Sequence, residues 1–267
     1  TFASGEFVGI YDAEDVPEPS QLRAAVAAFS EAGRDIVCVQ ARLSIYNPGQ
    51  NFLTRQFTLE YAALFDGILP ALDKLGLPLP LGGTSNHFRR LDLERAGAWD
   101  PFNVTEDADL GIRLARAQNR VAMLDSVTWE EAPDTMGAWL AQRTRWIKGW
   151  IQTYLVHMRD PLRLWRELGL WRSLGFQLIF GGLILSALAH PFFYAAMLTG
   201  LVDGTFLNWP ASGFEAALWW TCCFNAAAGF ASSIALVAMA VARRGGRLLV
   251  RSALGLPVYW LAISLAS

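Results

Sequence analysis

TEDADLGIRLARAQNRVAMLDSVTWEEAPDTMGAWLAQRTRWIKGW, residues 105–150, is the stretch whose reading decides the fold. It opens on Thr105-Glu106-Asp107 and closes on the cluster Gln142-Arg143-Thr144-Arg145-Trp146. Between them the pattern predicts a helix over Ala108–Gln118, a strand over Arg120–Asp125, a loop carrying Glu130 and Glu131, and a helix over Thr135–Met158. Thr105 stands where a helix cap is expected, with Glu106 and Asp107 in the first turn, where the helix dipole favours negative charge. In the long helix Gln142, Arg145 and Trp146 are three and four apart and so share one side. An arginine beside an indole and an amide can hold a phosphate bidentately while the ring stacks on an apolar or sugar face. An interfacial helix with Trp and Arg at headgroup level uses the same residues.

Upstream, Phe7–Tyr11 reads as a short strand running into Asp12, Glu14 and Asp15, with Pro17 and Pro19 ending it. Acids at the carboxyl end of a strand lie where α/β sheets bind ligands. With strand geometry maintained, Asp12 and Glu14 share a side and suit a hard cation; a solvated acidic turn is the alternative. Gln21–Glu31 has helical spacing with Leu22, Val26 and Phe29 on one face, and Asp35–Ile45 is a buried strand. This order predicts an α/β layer with parallel pairing. Gln40 in that strand is expected to be a satisfied core amide. Asn51–Leu75 is an aromatic-rich amphipathic helix, suited to the membrane surface, to packing against a membrane span or to ordinary core packing. Gly82-Gly83-Thr84-Ser85-Asn86 then combines permissive backbone with small polar side chains, fitting either close approach of a sugar or a tight turn before a strand.

Composition divides the chain in two. Hydrophobic residues make up 53% and there are eleven Trp, with charge concentrated before Arg172. Thirty residues from Ser173 to Val202 and twenty-seven from Ala216 to Ala242 contain no Asp, Glu, Lys or Arg. Each exceeds the roughly 20 needed to cross a bilayer. Ser252–Ser267 is expected to be the start of a third span, His190-Pro191 a kink, and Gly181-Gly182 a close helix approach. Gln142–Arg172 carries seven Lys or Arg, Val202–Glu215 carries none, and Arg243, Arg244, Arg247 and Arg251 crowd the next link. The positive-inside rule therefore assigns the aqueous part and the Arg-rich link to the cytoplasm. A net charge of −2 without a basic aromatic surface gives no basis for nucleic-acid binding. Cys38, Cys222 and Cys223 have neither metal-ligand nor disulfide-framework spacing.

Taken in order, the DAED strand end, GGTSN, TED, QRTRW and the apolar helices resemble a membrane-bound family 2 glycosyltransferase of the cellulose synthase type. The resemblance implies an α/β fold: residues 1–150 as the C-terminal part of a cytoplasmic GT-A domain, 151–172 as an interfacial link, and 173–267 as membrane helices. It also implies that the domain begins about a hundred residues earlier in the parent protein, in line with ordinary domain size. By the same resemblance Asp12 and Glu14, with Asp15 adjacent, hold Mg or Mn on the donor diphosphate. Asp107 is the base, with Glu106 beside it. Gln142, Arg145 and Trp146, with Thr105, line the donor and acceptor site, and Gly83, Thr84 and Ser85 lie near the acceptor. Glu14 departs from the family's DxD by one methylene. The expected partners are a nucleotide-sugar donor, a glycan or lipid acceptor, membrane lipid and an accessory export subunit, in a bacterial inner membrane. Rival readings are single-sugar transfer to a lipid or short glycan, and a transport or scaffold protein that uses these charges structurally. A glycoside hydrolase shares the paired carboxylates but has no need of the Arg/Trp cluster.

Overall fold

A computed structural model describes residues 3–205, 208, 212–244 and 247–266, leaving parts of the Val202–Glu215 link and the side chains of His190, Phe193, Arg247 and Leu248 outside the described residues. The strands are β1 (Phe7–Ile10), β2 (Val16–Pro17), β3 (Ile36–Ile45), β4 (Asn86–Arg89) and β5 (Arg120–Glu130). They form one mixed sheet in the order β1-β4-β3-β5-β2. Pairing is antiparallel except for β3 and β5, which run parallel. β1 and β3 therefore run in the same direction without touching. The four-residue β4, entered from the glycine segment, separates them and hydrogen-bonds to both.

Helix α1 (Gln21–Glu31) has the expected bounds but a different buried face: Gln21, Ala25 and Phe29 turn inward, whereas Leu22 and Val26 are exposed. The strand β5 runs to Glu130 rather than stopping at Asp125, because a bulge at Asp125-Ser126 resets its register against β3. Pro17 does not end β1. The strand stops at Ile10, and Val16-Pro17 makes its own edge pairing with Trp129 and Thr128.

The amphipathic Asn51–Leu75 segment is α2 (Phe52–Ala62), a π turn (Ala63–Ile68) and α3 (Leu69–Lys74). Asn51 caps it reciprocally with Thr54. Pro70 has no N–H for the Asp66 carbonyl four residues back, and the wider π turn relieves the ring clash. The carbonyl thus freed accepts from Arg243 Nη1 at 2.9 Å. Next to it, Arg244 pairs with the Asp66 carboxylate and donates to Ser44 Oγ at 2.8 Å and the Leu43 carbonyl at 2.9 Å. These two arginines end α9 (Gly213–Arg243), so the Arg-rich end of that apolar helix is fastened to the sheet domain. Leu59, Ala62 and Ala63 also pack on its Val237, Ala240 and Val241, while Phe57, Tyr61, Phe65 and Leu69 lie in the main core, so the segment combines packing on a membrane-length helix with ordinary core packing, two of the expected roles.

After α4 (Arg90–Arg95) and α5 (Glu106–Arg116) come the long α6 (Met136–His157) and α7 (Pro161–Phe176), the latter broken at Gly169, where φ is 74°. A second π turn, Gln177–Gly181, leads into α8 (Gly182–Val202), which is continuous through Pro191. Phe176 and Phe180 are fully buried with Ala108, Ile112 and Ala115 of α5. Phe176 and Phe180, within the predicted span, thus pack on α5, and α8 provides 21 residues beyond the π turn. The chain ends in a 3₁₀ stretch (Arg247–Gly255) and α10 (Leu256–Ala266). Among the described residues three helical segments, Pro161–Val202, Gly213–Arg243 and Leu249–Ala266, are long and apolar enough to cross a membrane, so the third is longer than the expected fragment. Cys38 is buried in the sheet, and all three cysteines are free.

Candidate active site

The site forms where three sequence-distant pieces meet: the acidic turn after β1, the start of α5, and one side of α6. Its floor is built by Gln40. Fully buried on β3, its amide donates to the Ala41 and Thr84 carbonyls at 2.9 Å, and its oxygen accepts from Gly82 N at 2.9 Å. The core amide is satisfied as expected, and in being so it shapes the glycine segment. A Cβ on Gly83 would lie 3.3 Å from Asp107 Oδ2, which sets this backbone directly against the carboxylate.

Asp12–Asp15 is a closed turn rather than a continued strand. Asp15 N donates to the Asp12 carbonyl at 3.2 Å, and Asp12 N donates to Asp15 Oδ2 at 2.8 Å. The argument that strand alternation puts Asp12 and Glu14 on one side therefore does not apply. Thr84 Oγ1 also donates to Asp15 Oδ2, so one Asp15 oxygen is committed to the turn while Oδ1 is buried without a protein partner. Ser85, with φ 57°, points away from the site. Its N–H donates to the Ile10 carbonyl at 2.8 Å and its hydroxyl to Thr128 Oγ1 at 2.7 Å, so it is a folding residue. Of the glycine segment, Gly83 and Thr84 are brought to the acids and Ser85 is not.

Thr105 does not cap α5 with its side chain. Instead Asn103 Oδ1 accepts from Thr105 N at 3.1 Å, and Asn103 Nδ2 donates to Thr153 Oγ1 of α6 at 2.8 Å. A Cβ on Gly149 would come within 2.5 Å of the Thr105 side chain, so a glycine is what lets α6 approach this closely. The effect is to set the height of Glu106 and Asp107 against α6. Asp107 Oδ1 accepts from Ala108 N at 2.7 Å. Burial is the main reason its carboxyl is pushed up to about 6, with Glu106 adding repulsion and the Ala108 bond and Arg145 acting the other way. Asp12 is raised too, by desolvation and by Asp15, Glu14 and Glu106, again against Arg145. The two acids thus share one cation, Arg145, which lies exposed on α6.

Gln142 Oε1 is buried without a protein partner, one turn before Trp146. Arg143, the other arginine of the cluster, faces away: it is 5% exposed and pairs with Glu60 at 2.6 Å. Residue spacing alone does not separate the two arginines, because which faces inward depends on α10.

One acid escaped the sequence reading. Glu130, at the end of β5, is pushed up to about 8, first by burial and then by Asp15, Asp12 and Glu14, and its Oε1 is buried without a partner. The residue pattern puts it in a loop, because the bulge that prolongs β5 has no signature in the sequence. Among the described residues no three His, Cys, Asp or Glu side chains converge as a formed metal centre. The donor set nonetheless fits a hard divalent cation in its chemistry: all-oxygen ligands, mutually repelling carboxylates and orphaned oxygens on Asp15 and Glu130.

A family model described as Glycosyl transferase family group 2 matches residues 7–242. Over 151 residues the chain is 27% identical to the probable glycosyltransferase YdaM of Bacillus subtilis, covering 55% of this chain and 35% of the relative. Over 158 residues it is 33% identical to a beta-monoglucosyldiacylglycerol synthase of Synechocystis, covering 58% of this chain and 32% of the relative. The chain therefore spans about a third of the length of these curated relatives. In structure it is similar to the mannosyltransferase PcManGT from Pyrobaculum calidifontis, solved in complex with GDP-Man and Mn2+. The TM-score is 0.53 at 21% identity, covering 94% of this chain and 61% of the neighbour, a likeness of GT-A-like fold.

Proposed function

This chain belongs to glycosyl transferase family group 2, and we propose that its parent is a membrane-bound, cellulose synthase-like enzyme that moves a hexose from a UDP-sugar onto a growing polysaccharide or other glycan, with inversion. The observation that supports this reading is the segment Gly83-Thr84, in which Gly83 lies against the Asp107 carboxylate and Thr84 donates to Asp15 of the acidic turn.

Asp107 is the base. As the acceptor oxygen attacks C1 of the sugar, its proton passes to the Asp107 carboxylate and the bond from C1 to the diphosphate oxygen breaks on the opposite face. A carboxyl poised near 6 is ionised at neutral pH and basic enough to accept that proton. Arg145 meets the departing diphosphate with fixed positive charge, and Gln142 Oε1 offers an unused acceptor to a substrate hydroxyl. Asp12 and Glu14, with Asp15 and Glu130 adjacent, would hold Mg or Mn, which supplies further charge neutralisation at the leaving group. The Arg-rich link and the sheet domain lie on the same side of the apolar helices, consistent with a cytoplasmic catalytic face and an inner-membrane location.

The test is release of nucleoside diphosphate from UDP-glucose, UDP-N-acetylglucosamine and GDP-mannose by membranes carrying the full-length parent. Release from a UDP-sugar supports the donor assignment, and release from GDP-mannose alone refutes it. Absence of release from all three refutes the transfer reading. Partition of labelled product between polymer and organic extract separates a glycan acceptor from a lipid one.

A further inference from the structure

Arg143 is a charged residue inside a cage of rings. Its guanidinium carbon stands 4.7 Å from the Trp146 ring centre, 4.8 Å from that of Phe57 and 5.6 Å from that of Trp139. Glu60 of α2 accepts from Arg143 Nη1 at 2.6 Å. Tyr259 of α10 closes the group: its hydroxyl accepts from Arg143 Nη2 and from Trp139 Nε1, each at 3.1 Å, and donates to Glu60 Oε2 at 2.8 Å. That hydroxyl is saturated, and Tyr259 is 1% exposed. The cluster joins three elements: the π-turn-bearing helix, the helix with the Gln142–Trp146 residues, and the third membrane-length helix.

Docking alone does not call for this chemistry. Burying an arginine is costly unless it is fully paired, and an apolar set of similar volume often packs as well or better. The Arg143 guanidinium, bonded through Nη1 and Nη2 while its Nε is buried without a partner, does supply a fixed direction. It lies against the Trp146 indole as a cation on a ring face, with the Phe57 ring 6.1 Å away centre to centre on the same residue.

From this geometry we infer that Glu60, Arg143 and Tyr259 are positioning residues for Trp146, so that sugar transfer depends on α10 being docked. The inference rests on the reading of Trp146 as a substrate-facing residue. It is tested with the full-length parent in detergent or membranes by a double-mutant cycle on Tyr259→Phe and Trp146→Phe. Tyr259→Phe is expected to lower kcat about tenfold with the KM for donor unchanged, and to have no further effect once Trp146→Phe is present. Equal losses in both backgrounds would mean that Tyr259 acts on stability or elsewhere, and overturn the inference. Glu60→Gln, which keeps the side-chain shape and one acceptor for Arg143, is the second variant and is expected to follow the same pattern.

A readout independent of turnover uses 5-fluorotryptophan and fluorine NMR. The Trp146 resonance, assigned by its loss in Trp146→Phe, is expected to shift or broaden in Tyr259→Phe. An unmoved Trp146 resonance would refute the coupling. This arm gives its answer whether or not the parent transfers sugar, so failure of the positioning claim is distinguishable from failure of the functional reading.

Discussion

Replacing Asp107 by Asn should make the protein more stable as it makes it inactive. The carboxyl is held near 6 against an ordinary 3.8, chiefly by burial. A displacement of this size corresponds to about 3 kcal/mol between the ionised and neutral forms. Because the folded value lies above the unfolded one, the folded state binds the extra proton between the two. The favourable contribution is present below about pH 4 and is lost as pH rises through about 6. Asparagine removes the charge and keeps an oxygen for the Ala108 N–H. Its advantage over the parent should therefore be about 3 kcal/mol at pH 8, roughly half of that at pH 5, and small below pH 4. For a chain of this size that is several degrees in Tm at pH 8. The assay is thermal unfolding of detergent-solubilised parent and variant at several pH values between 4 and 8. A gap that is absent, or that does not grow with pH, would refute the claim that Asp107 is an ionised group held at a cost.

Other substitutions test other parts of the account. Arg145→Ala removes the cation shared by Asp12 and Asp107 and should reduce transfer by about 10²–10³, measured as kcat, while Arg145→Lys recovers part of it. Transfer by the parent should rise with pH through about 6 as Asp107 loses its proton, and a pH-independent rate from 5 to 8 would contradict its role as base. Gly149→Ala puts a methyl group into Thr105 and should cost about 1–3 kcal/mol of stability together with a loss of transfer, since the TED turn must move to accommodate it. Arg244→Ala leaves the buried Asp66 carboxylate without its main partner and should destabilise by about 3–5 kcal/mol, read as a lowered Tm, with Arg42, 3.7 Å away, compensating only in part.

What the sequence made legible was periodic or compositional. The bounds of α1, the length of α6 and the apolar helices follow from spacing and charge. What escaped it depends on pairing between distant segments. A tight turn before a strand, one reading of the glycine segment, is what forms, but nothing in NHFR tells that this strand separates β1 from β3. Glu130 is a site acid only because a bulge carries β5 past Asp125. Leu22 and Val26 have the spacing of a buried face, yet Gln21 is the residue that turns inward, because Ser126 and Thr128 satisfy its amide. Likewise Arg143 and Arg145 are chemically identical in the sequence. Their roles part because Tyr259, 116 residues further on, meets one of them.

The most direct test of the central claim is transfer by the full-length parent and its Asp107→Asn variant in membranes, with a UDP-sugar and either Mg, Mn or a chelator, alongside donor binding by each. The account predicts metal-dependent sugar transfer by the parent, none by the variant, and donor affinity that is similar in both. Undiminished transfer by Asp107→Asn would contradict the assignment of Asp107 as the base.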